Sequence, residues 1–346
     1  MEYSNLADNI KLIIKDNVLA IVSDNKLTTV SSAFFNGGFK QVKAVLNIGV
    51  PDGYDDRSLH LDPLALITLS AAKLGLTKDY LAMVTAAKVR NYSLVSKDAG
   101  DFSVDVVATA GCKHGESSGE EMDVQEIHDT INVIVLIDGR PAESCMVASI
   151  ITATEAKSAA LRDFDVRSHY TGDSATGSIT DSVTIVSTNR GKTVSYGGPA
   201  SKLGKLVGYC TRKAVTESLV KQEPIWSCRT VADRLKERHL SLEKLAAELS
   251  KVDGLDIGEK GLAEILKANP IINVYLLAAA RLDDDYKKGL LPAELKNAVD
   301  DLSRNFYNPK FTQNKKPKEP NYDLVDLPPF IKNVLIKIVK TSRFEN

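Results

Sequence analysis

Two segments of the sequence place carboxylates beside groups that could support hydrolysis. The first is Thr154-Glu155-Ala156-Lys157, which lies in a stretch of small and apolar residues that predicts a helix. Because Glu155 and Lys157 are two positions apart, they point to different sides of that helix and cannot form the usual surface pair between successive turns. Glu155 could act as a general base toward water, and Lys157 could hold a carboxylate or polarise a carbonyl. The alternative is an ordinary solvated helix face.

The second segment runs from Ala175 to Asp181 and stands immediately before a predicted strand. Its residues Thr176, Ser178 and Thr180 supply three hydroxyls beside a flexible glycine, a combination suited to hydrogen bonding with a neutral polar ligand. Asp181 is the second candidate for the proton acceptor. The segment is long and polar for a plain turn.

Two glycine-bearing segments are further candidates for substrate binding. Asn36, Gly37 and Gly38 can adopt positive φ at little cost and let backbone N–H groups face a ligand, although such residues also mark ordinary tight turns. Thr109 and Gly111 follow a predicted strand, where the glycine permits either a tight exit from the strand or the close approach of a substrate. Both alternatives stay open at this point.

The sequence lacks the motifs of several well-known classes of enzyme. The sequence contains no G-x-S-x-G elbow and no H-E-x-x-H pair, and its four cysteines form no C-x-x-C pair. The segment Gly197 to Lys205 resembles a phosphate loop only faintly, because the glycine spacing differs and Leu206 stands where a hydroxyl is required. Cys112 and His114 could form a thiolate pair or two metal ligands, but a C-x-H pair alone is a weak signal.

The order of predicted elements indicates two domains. Short apolar runs that alternate with small-residue helices predict an α/β domain over residues 1–224, with a mixed sheet and helices. From residue 225 onward, apolar residues recur at helical spacing, which predicts an all-α domain over 225–346. The Lys- and Pro-rich segment Asn308 to Pro320 predicts a linker before a last amphipathic helix. The predicted strands are Val18 to Val22, Val42 to Ile48, Val104 to Ala110, Ile131 to Ile137 and Val183 to Ser187, and a helix is predicted from about Glu143 to Leu161.

Composition and charge favour a small-molecule partner. The 44 basic residues nearly balance the 45 acidic residues, so no global field attracts the protein to nucleic acid or to an anionic membrane. We expect no membrane span, because no segment reaches the roughly 18 apolar residues that a span needs. The scattered cysteines and the absence of an apolar leader favour the cytoplasm. The sequence is compatible with a homo-oligomer.

Seven ordered segments resemble the adenosylcobinamide amidohydrolase family. They are SSAFFNGG, MVTAA, VVATAG, DTINVIVLIDG, ITATEAKSAAL, ATGSITDSV and YGGPASKLGKLVG, and together they extend over roughly 190 residues. The resemblance implies hydrolysis of the amide between the corrin ring's propionyl side chain and its aminopropanol arm, which yields adenosylcobyric acid for coenzyme synthesis. A corrinoid carries many side-chain amides, which a site built from Asn, Ser, Thr and backbone groups can satisfy.

The chain departs from the family pattern at one place. After Thr-Ala-Gly the family usually has an Asn-Ala pair, whereas this sequence continues with Cys112 to Glu116. This departure leaves an alternative to catalysis, which is a non-catalytic corrinoid-binding protein derived from the family.

The second predicted domain carries a separate resemblance. RTVADRLKERHLSLEKLAAELSKV and INVYLLAAARLDDDYKKGLLPAEL are similar to the start of the phosphatidylglycerophosphatase-A-like family, which includes an archaeal α-ribazole-phosphate phosphatase. Some archaeal proteins join such a phosphatase to the amidohydrolase. The resemblance implies Mg²⁺, for which Asp283 and Asp284 are the candidate ligands. The family's downstream acidic motif has no match, so a helical accessory domain with a solvated acidic helix end is the alternative.

Overall fold

The computed structural model describes residues 2–51, 63–121, 129–252, 254–292, 294–295 and 322–342. The chain divides into two compact units, Met1–Cys228 and Arg229–Asn346. The predicted linker from Asn308 to Pro320 lies outside the described residues.

The first unit is built on a nine-stranded mixed sheet, which confirms the predicted α/β class. All five predicted strands are present, because long apolar runs are stable as strands when both faces of the sheet are covered. The strands of the first unit are β1 (Glu2–Ala7), β2 (Ile10–Lys15), β3 (Val18–Ser31), β4 (Gly38–Gly49), β5 (Tyr80–Thr85), β6 (Ser93–Asp98), β7 (Ser103–Ala110), β8 (Ile131–Asp138), β9 (Arg140–Pro141), β10 (Ser182–Ser187) and β11 (Thr193–Val194), of which β9 and β11 form a separate two-stranded sheet.

Strand β3 is the long central strand of the sheet and pairs with β2, β4 and β10. Along one edge it pairs antiparallel with β4, with a register shift between Val22 and Leu27. Along the other edge its first half pairs with β2 and its last four residues pair with β10. Strand β8 then pairs parallel to β10 and antiparallel to β7. Because one long strand serves two different partners, the sheet bends around an apolar interior that contains Leu19, Val45, Met83 and Ile134.

Helices cover the outer faces of the sheet. They are α1 (Pro63–Lys73), α2 (Glu143–Asp163) and α3 (Lys202–Gln222). Helix α2 agrees with its prediction to within two residues at its C-terminal end, and its small buried residues pack beside the strands. Helix α3 begins at the Ser201 N-cap, whose hydroxyl accepts the Gly204 N–H. Buried residues of both helices share one core cluster with β7, β8 and β10.

The second unit contains helices around a core of its own. They are α4 (Val231–Lys236), α5 (Leu242–Leu249), α6 (Glu259–Ala268), α7 (Pro270–Lys287) and α8 (Pro329–Ser342). Their leucine and isoleucine side chains form one buried cluster. The prediction that this domain is entirely α-helical stays a prediction, because residues 296–321 lie outside the described part.

In the described part of the chain, no single helix is long and apolar enough to cross a membrane. By length and composition alone, the sharply bent pair α6 and α7 together would pass that test.

Candidate functional site

Polar residues of the first unit gather at one edge of the curled sheet, where β3 and β7 end and where β8 and β10 begin. Ala110 pairs with Ile131, and Ser31 pairs with Thr184, so these four strand ends lie side by side. Loops that leave this edge therefore bring together residues that are far apart in sequence.

Lys157 and Asp181 form a buried ion pair at this edge. Lys157 lies on the inner side of α2, and its Nζ contacts Oδ2 of Asp181. Asp181 also accepts hydrogen bonds from the Ser178 hydroxyl at 2.5 Å, the Ser178 N–H at 3.2 Å and the Ile131 N–H at 3.0 Å. Four donors therefore hold the carboxylate, and the carboxylate in turn fixes the position of the ammonium group.

Gly177 lies directly against this ion pair. A Cβ atom at this position would stand 2.5 Å from Asp181 Oδ2 and 2.8 Å from Lys157 Nζ. A side chain at residue 177 would therefore displace at least one member of the pair. The neighbouring hydroxyl of Thr176 contacts Ser118, which connects this loop to the segment after β7.

A second pair, Asp129 and His114, lies at the same edge. Oδ2 of Asp129 accepts the backbone N–H of His114 and lies 3.1 Å from His114 Nδ1. Burial and the nearby Lys113 ammonium lower the pKa of His114, and the carboxylate of Glu223 opposes that shift. Burial and the charge of Asp129 raise the pKa of Glu223.

The two pairs share one backbone segment. Thr180, next to Asp181, makes hydroxyl contacts with Thr130 Oγ1 at 2.9 Å and with the carbonyl oxygen of Asp129 at 3.3 Å. Ile131, two residues after Asp129, donates its N–H to Asp181. Residues 129–131 thus connect the ion pair to the Asp–His pair.

Cys112 lies between these groups but is poorly suited to act as a nucleophile. Its side chain is fully buried, and its Sγ–H donates to the carbonyl oxygen of Gly177 at 3.6 Å. Burial, followed by the charges of Asp181 and Asp129, raises the pKa of the thiol well above its usual range. The thiol form is therefore favoured, whereas a nucleophilic cysteine needs the thiolate.

Thr109 lies deeper than the ion pair, inside the curled sheet. Its hydroxyl accepts a hydrogen bond from Asn47 at 2.8 Å, and Asn47 accepts one from Asn132 at 2.8 Å. Asn132 also donates to the carbonyl oxygen of Val84 at 2.9 Å. This network joins β4 and β5 to β7 and β8 across the interior, so Thr109 has a structural role, and its predicted role in substrate binding stays a prediction.

The Asn36-Gly37-Gly38 segment ends the connection between β3 and β4, and Gly38 is the first residue of β4. Asn36 has φ of 56°, and its amide donates to the carbonyl oxygen of Tyr80 at 2.8 Å. A Cβ on Gly37 would collide with the carbonyl oxygen of Ala33, and Gly38 has φ of +73°. Turn geometry accounts for all three residue types, and their predicted role in substrate binding stays a prediction.

Gly111 and Glu155 lie in contrasting places. Gly111 stands beside the Asp129 carboxylate, where an added Cβ would be 3.4 Å from Oδ1.

Glu155 is exposed on the outer side of α2, in an open groove of about 680 Å³ that Arg212 and Asp163 also line. The two candidate bases predicted from the sequence therefore have different surroundings, and only Asp181 lies with Lys157.

Sequence reasoning missed part of this site. Asp129 and Thr130 belong to the DTINVIVLIDG segment, but the sequence suggested no chemical role for them. The sequence suggests a role for His114 only as a partner of Cys112, and it suggests none for Glu223. The one available signal was the polar pair Asp129-Thr130 immediately before a buried strand, at the sheet edge where site residues collect.

The predicted acidic ligands of the second unit are engaged by protein groups. Both oxygens of Asp283 accept backbone N–H groups at the start of α8, from Phe330 and Ile331, at 2.9 Å each. Asp284 lies 3.5 Å from a guanidinium nitrogen of Arg238. This arrangement does not fit a Mg²⁺ site, and no group of three or more His, Cys, Asp or Glu residues in the described chain is arranged to hold a metal ion.

The buried carboxyl group of Asp283 should make the stability of the second unit depend on pH. Burial raises its pKa from 3.8 to about 6, against the opposing effect of the two backbone hydrogen bonds. Because the folded state then binds the proton more tightly, the free energy of unfolding falls as pH rises through this window, by about 3 kcal/mol at most.

Hydrogen exchange of the first amides of α8, corrected for intrinsic rates, should show more protection at about pH 4 than at about pH 7. Asp283→Asn is expected to remove that difference while keeping one acceptor for the helix end. Equal protection of wild-type α8 at both pH values would contradict the expectation.

Comparison with known proteins places the first unit in a family. The model of the adenosylcobinamide amidohydrolase family matches residues 3–226. An uncharacterized protein of Methanocaldococcus jannaschii is 29% identical over 209 residues, which cover 54% of this chain and 81% of that protein. An adenosylcobinamide amidohydrolase of Methanosarcina mazei is 28% identical over 195 residues, which cover 55% of this chain and 85% of that protein.

Solved structures give weaker similarities. A protein of Pyrococcus horikoshii aligns with a TM-score of 0.36 and 10% identity, over 62% of this chain and 83% of its own. An L-aminopeptidase D-Ala-esterase/amidase of Ochrobactrum anthropi aligns with a TM-score of 0.29 and 11% identity, over 62% and 84%. The family match extends over well more than half of the sequence and includes every residue of the two charged pairs. The chain belongs to the adenosylcobinamide amidohydrolase family.

Proposed function

We propose that the first unit hydrolyses the amide bond between the corrin ring's propionyl side chain and the aminopropanol arm of adenosylcobinamide. The products are adenosylcobyric acid and aminopropanol, and the acid re-enters coenzyme synthesis. The family match over residues 3–226 is the observation that carries this proposal. The proposal is confined to the first unit, because the arrangement of Asp283 and Asp284 gives no support to a phosphatase in the second.

Lys157 is the proposed electrophilic group. Amide hydrolysis develops negative charge on the carbonyl oxygen, and a cation or N–H donor placed there in advance lowers the barrier. The ammonium of Lys157 is buried and held by Asp181, so it needs little reorganisation when that charge develops. In this assignment Asp181 positions the ammonium group of Lys157.

Hydroxyl and backbone groups around the ion pair are the proposed contacts for the substrate's neutral amides. Thr176, Ser178 and Thr180 belong to one loop, and Gly111 lies across from it beside Asp129. Such groups can satisfy primary amides without carrying a net charge. A substrate that lacks one of these amides would leave a buried partner unsatisfied, which gives selectivity among corrinoids.

The decisive measurement is incubation of the full chain with adenosylcobinamide, followed by mass spectrometry. We expect adenosylcobyric acid and aminopropanol in equal amounts, with no requirement for added Mg²⁺. Unchanged adenosylcobinamide that co-elutes with the protein would contradict hydrolysis and favour the corrinoid-binding alternative. Release of phosphate from α-ribazole phosphate, measured in parallel, would extend the activity to the second unit.

A further inference from the structure

We propose that His114, held by Asp129, is the general base of this hydrolysis, and that it works together with the Lys157 ammonium. The inference rests on the proposed amide hydrolysis and adds the group that activates water. The sequence pattern did not assign His114 or Asp129 this role. These two residues lie together only because the folded chain brings them together.

Asp129 fixes the orientation of the imidazole through two contacts with the same residue. Its Oδ2 accepts the backbone N–H of His114 and lies 3.1 Å from Nδ1. Because a carboxylate accepts hydrogen bonds, the proton of a neutral imidazole is held on Nδ1. The unprotonated Nε2 then lies on the ring edge that faces away from Asp129. A carboxylate that orients an imidazole in this way is the arrangement by which proteins produce a directed base.

The exposure of the two side chains suits these roles. The carboxylate of Asp129 is 10% exposed, whereas the His114 side chain is 32% exposed. The orienting group is thus mostly shielded from solvent, and the ring remains reachable by water or substrate. Segment 129–131 also donates the Ile131 N–H to Asp181, so one short backbone segment connects the base to the Lys157 pair.

The groups that face His114 come from several elements. Lys113 and Asp129 lie on the loops around it, Glu223 ends α3, and the ring of His169 stands edge-on with its centroid 5.0 Å away. Burial and Lys113 outweigh Glu223, so the pKa of His114 is lowered and the neutral ring is favoured near pH 7. The neutral ring is the form that can accept a proton.

The proposed step conserves atoms and charge. Nε2 of His114 takes a proton from water as the water oxygen bonds to the amide carbon, and Lys157 stabilises the resulting oxyanion. The carbon–nitrogen bond then breaks as the imidazolium returns the proton to the leaving nitrogen. One water is consumed, a carboxylic acid and a primary amine are released, and His114 is neutral again.

Other candidate bases are less well placed. Four donors already occupy the oxygens of Asp181, and one of them is the ammonium of Lys157. Glu155 lies on the outer surface of α2, away from the ion pair. Cys112 is buried as a thiol.

The first test is the pH–rate profile for adenosylcobinamide hydrolysis by wild type and by His114→Gln. We expect the wild-type kcat to fall at acid pH as one group is protonated. His114→Gln should lower kcat by about 10²-fold, change KM little and remove the acid limb. Added imidazole should restore part of the activity of His114→Gly. The control His169→Gln, which changes the neighbouring ring, should keep both kcat and the acid limb.

The second test does not depend on turnover. Nitrogen-15 NMR of the imidazole in the full-length wild type should show a neutral ring with its proton on Nδ1 near pH 7, and Asp129→Asn should disturb that tautomer. An imidazolium at pH 7, or a proton on Nε2, would overturn the assignment. If wild type turns over and His114→Gln keeps its acid limb, only the base assignment fails. If wild type releases no product at all, the proposed function fails and the base assignment fails with it.

Discussion

Replacement of Lys157 by methionine is expected to lower kcat for adenosylcobinamide hydrolysis by about 10²- to 10³-fold, the range found when one oxyanion donor is removed from a hydrolase. Methionine keeps the unbranched apolar chain and removes only the charge. The substitution removes an interaction that is made mainly in the transition state, so it should lower kcat and change KM much less. Steady-state kinetics with mass-spectrometric detection of adenosylcobyric acid measures both quantities.

The same substitution should also destabilise the first unit, because it leaves the Asp181 carboxylate buried without its cation. Breaking a buried pair in this way costs about 3–5 kcal/mol, and the three remaining donors to Asp181 should keep the loss near the lower end. The double variant Lys157→Met with Asp181→Asn removes the unpaired charge, so part of the stability should return while the activity stays low. Recovery of activity in the double variant would reject the electrophilic role of Lys157.

Glu155→Gln is the matched control on the same helix. Glu155 is exposed and lies two residues before Lys157, so the substitution should change neither the thermal unfolding temperature nor kcat by much. A loss of turnover comparable to that of Lys157→Met would instead make Glu155 the base, as one interpretation of the sequence allows.

Replacement of Gly177 by alanine is expected to lower kcat by about 10²-fold without removing any functional group. The added Cβ would stand 2.5 Å from Asp181 Oδ2 and 2.8 Å from Lys157 Nζ, so the ion pair must shift. A displacement of about 1 Å in a catalytic group is enough for such a loss. Crowding of this kind typically costs about 1–3 kcal/mol of stability.

Gly198→Ala provides the control for Gly177. A Cβ on Gly198 would meet no atom within 4 Å, and neither glycine has a positive φ. The comparison therefore isolates the steric contact at the ion pair from the general effect of adding a methyl group. Wild-type kcat in Gly177→Ala, with Gly198→Ala equally active, would show that the pair tolerates displacement or does not take part in the reaction.

Local structure in the first unit was largely predictable. The run from Ile131 to Ile137 is apolar at nearly every position, and in the structure it is a strand buried on both faces. Helix α2 follows from its unbroken stretch of residues compatible with a helix. Strands β1, β2, β5 and β6 were missed, because strands of only six residues depend on pairing with their neighbours more than on their own pattern.

The sequence by itself determined five of the strands that build the core, the residue types available for chemistry and the family. Only the tertiary structure decided which of those residues meet. Lys157 and Asp181 are 24 positions apart, and they meet because β10 lies between β3 and β8, which brings Asp181, the residue before β10, against α2. Glu155 is a residue type that can act as a base, but it lies on the outer side of α2, away from Lys157. Strand order is set by the packing of the whole sheet, and the pattern of residues along a single strand does not specify it.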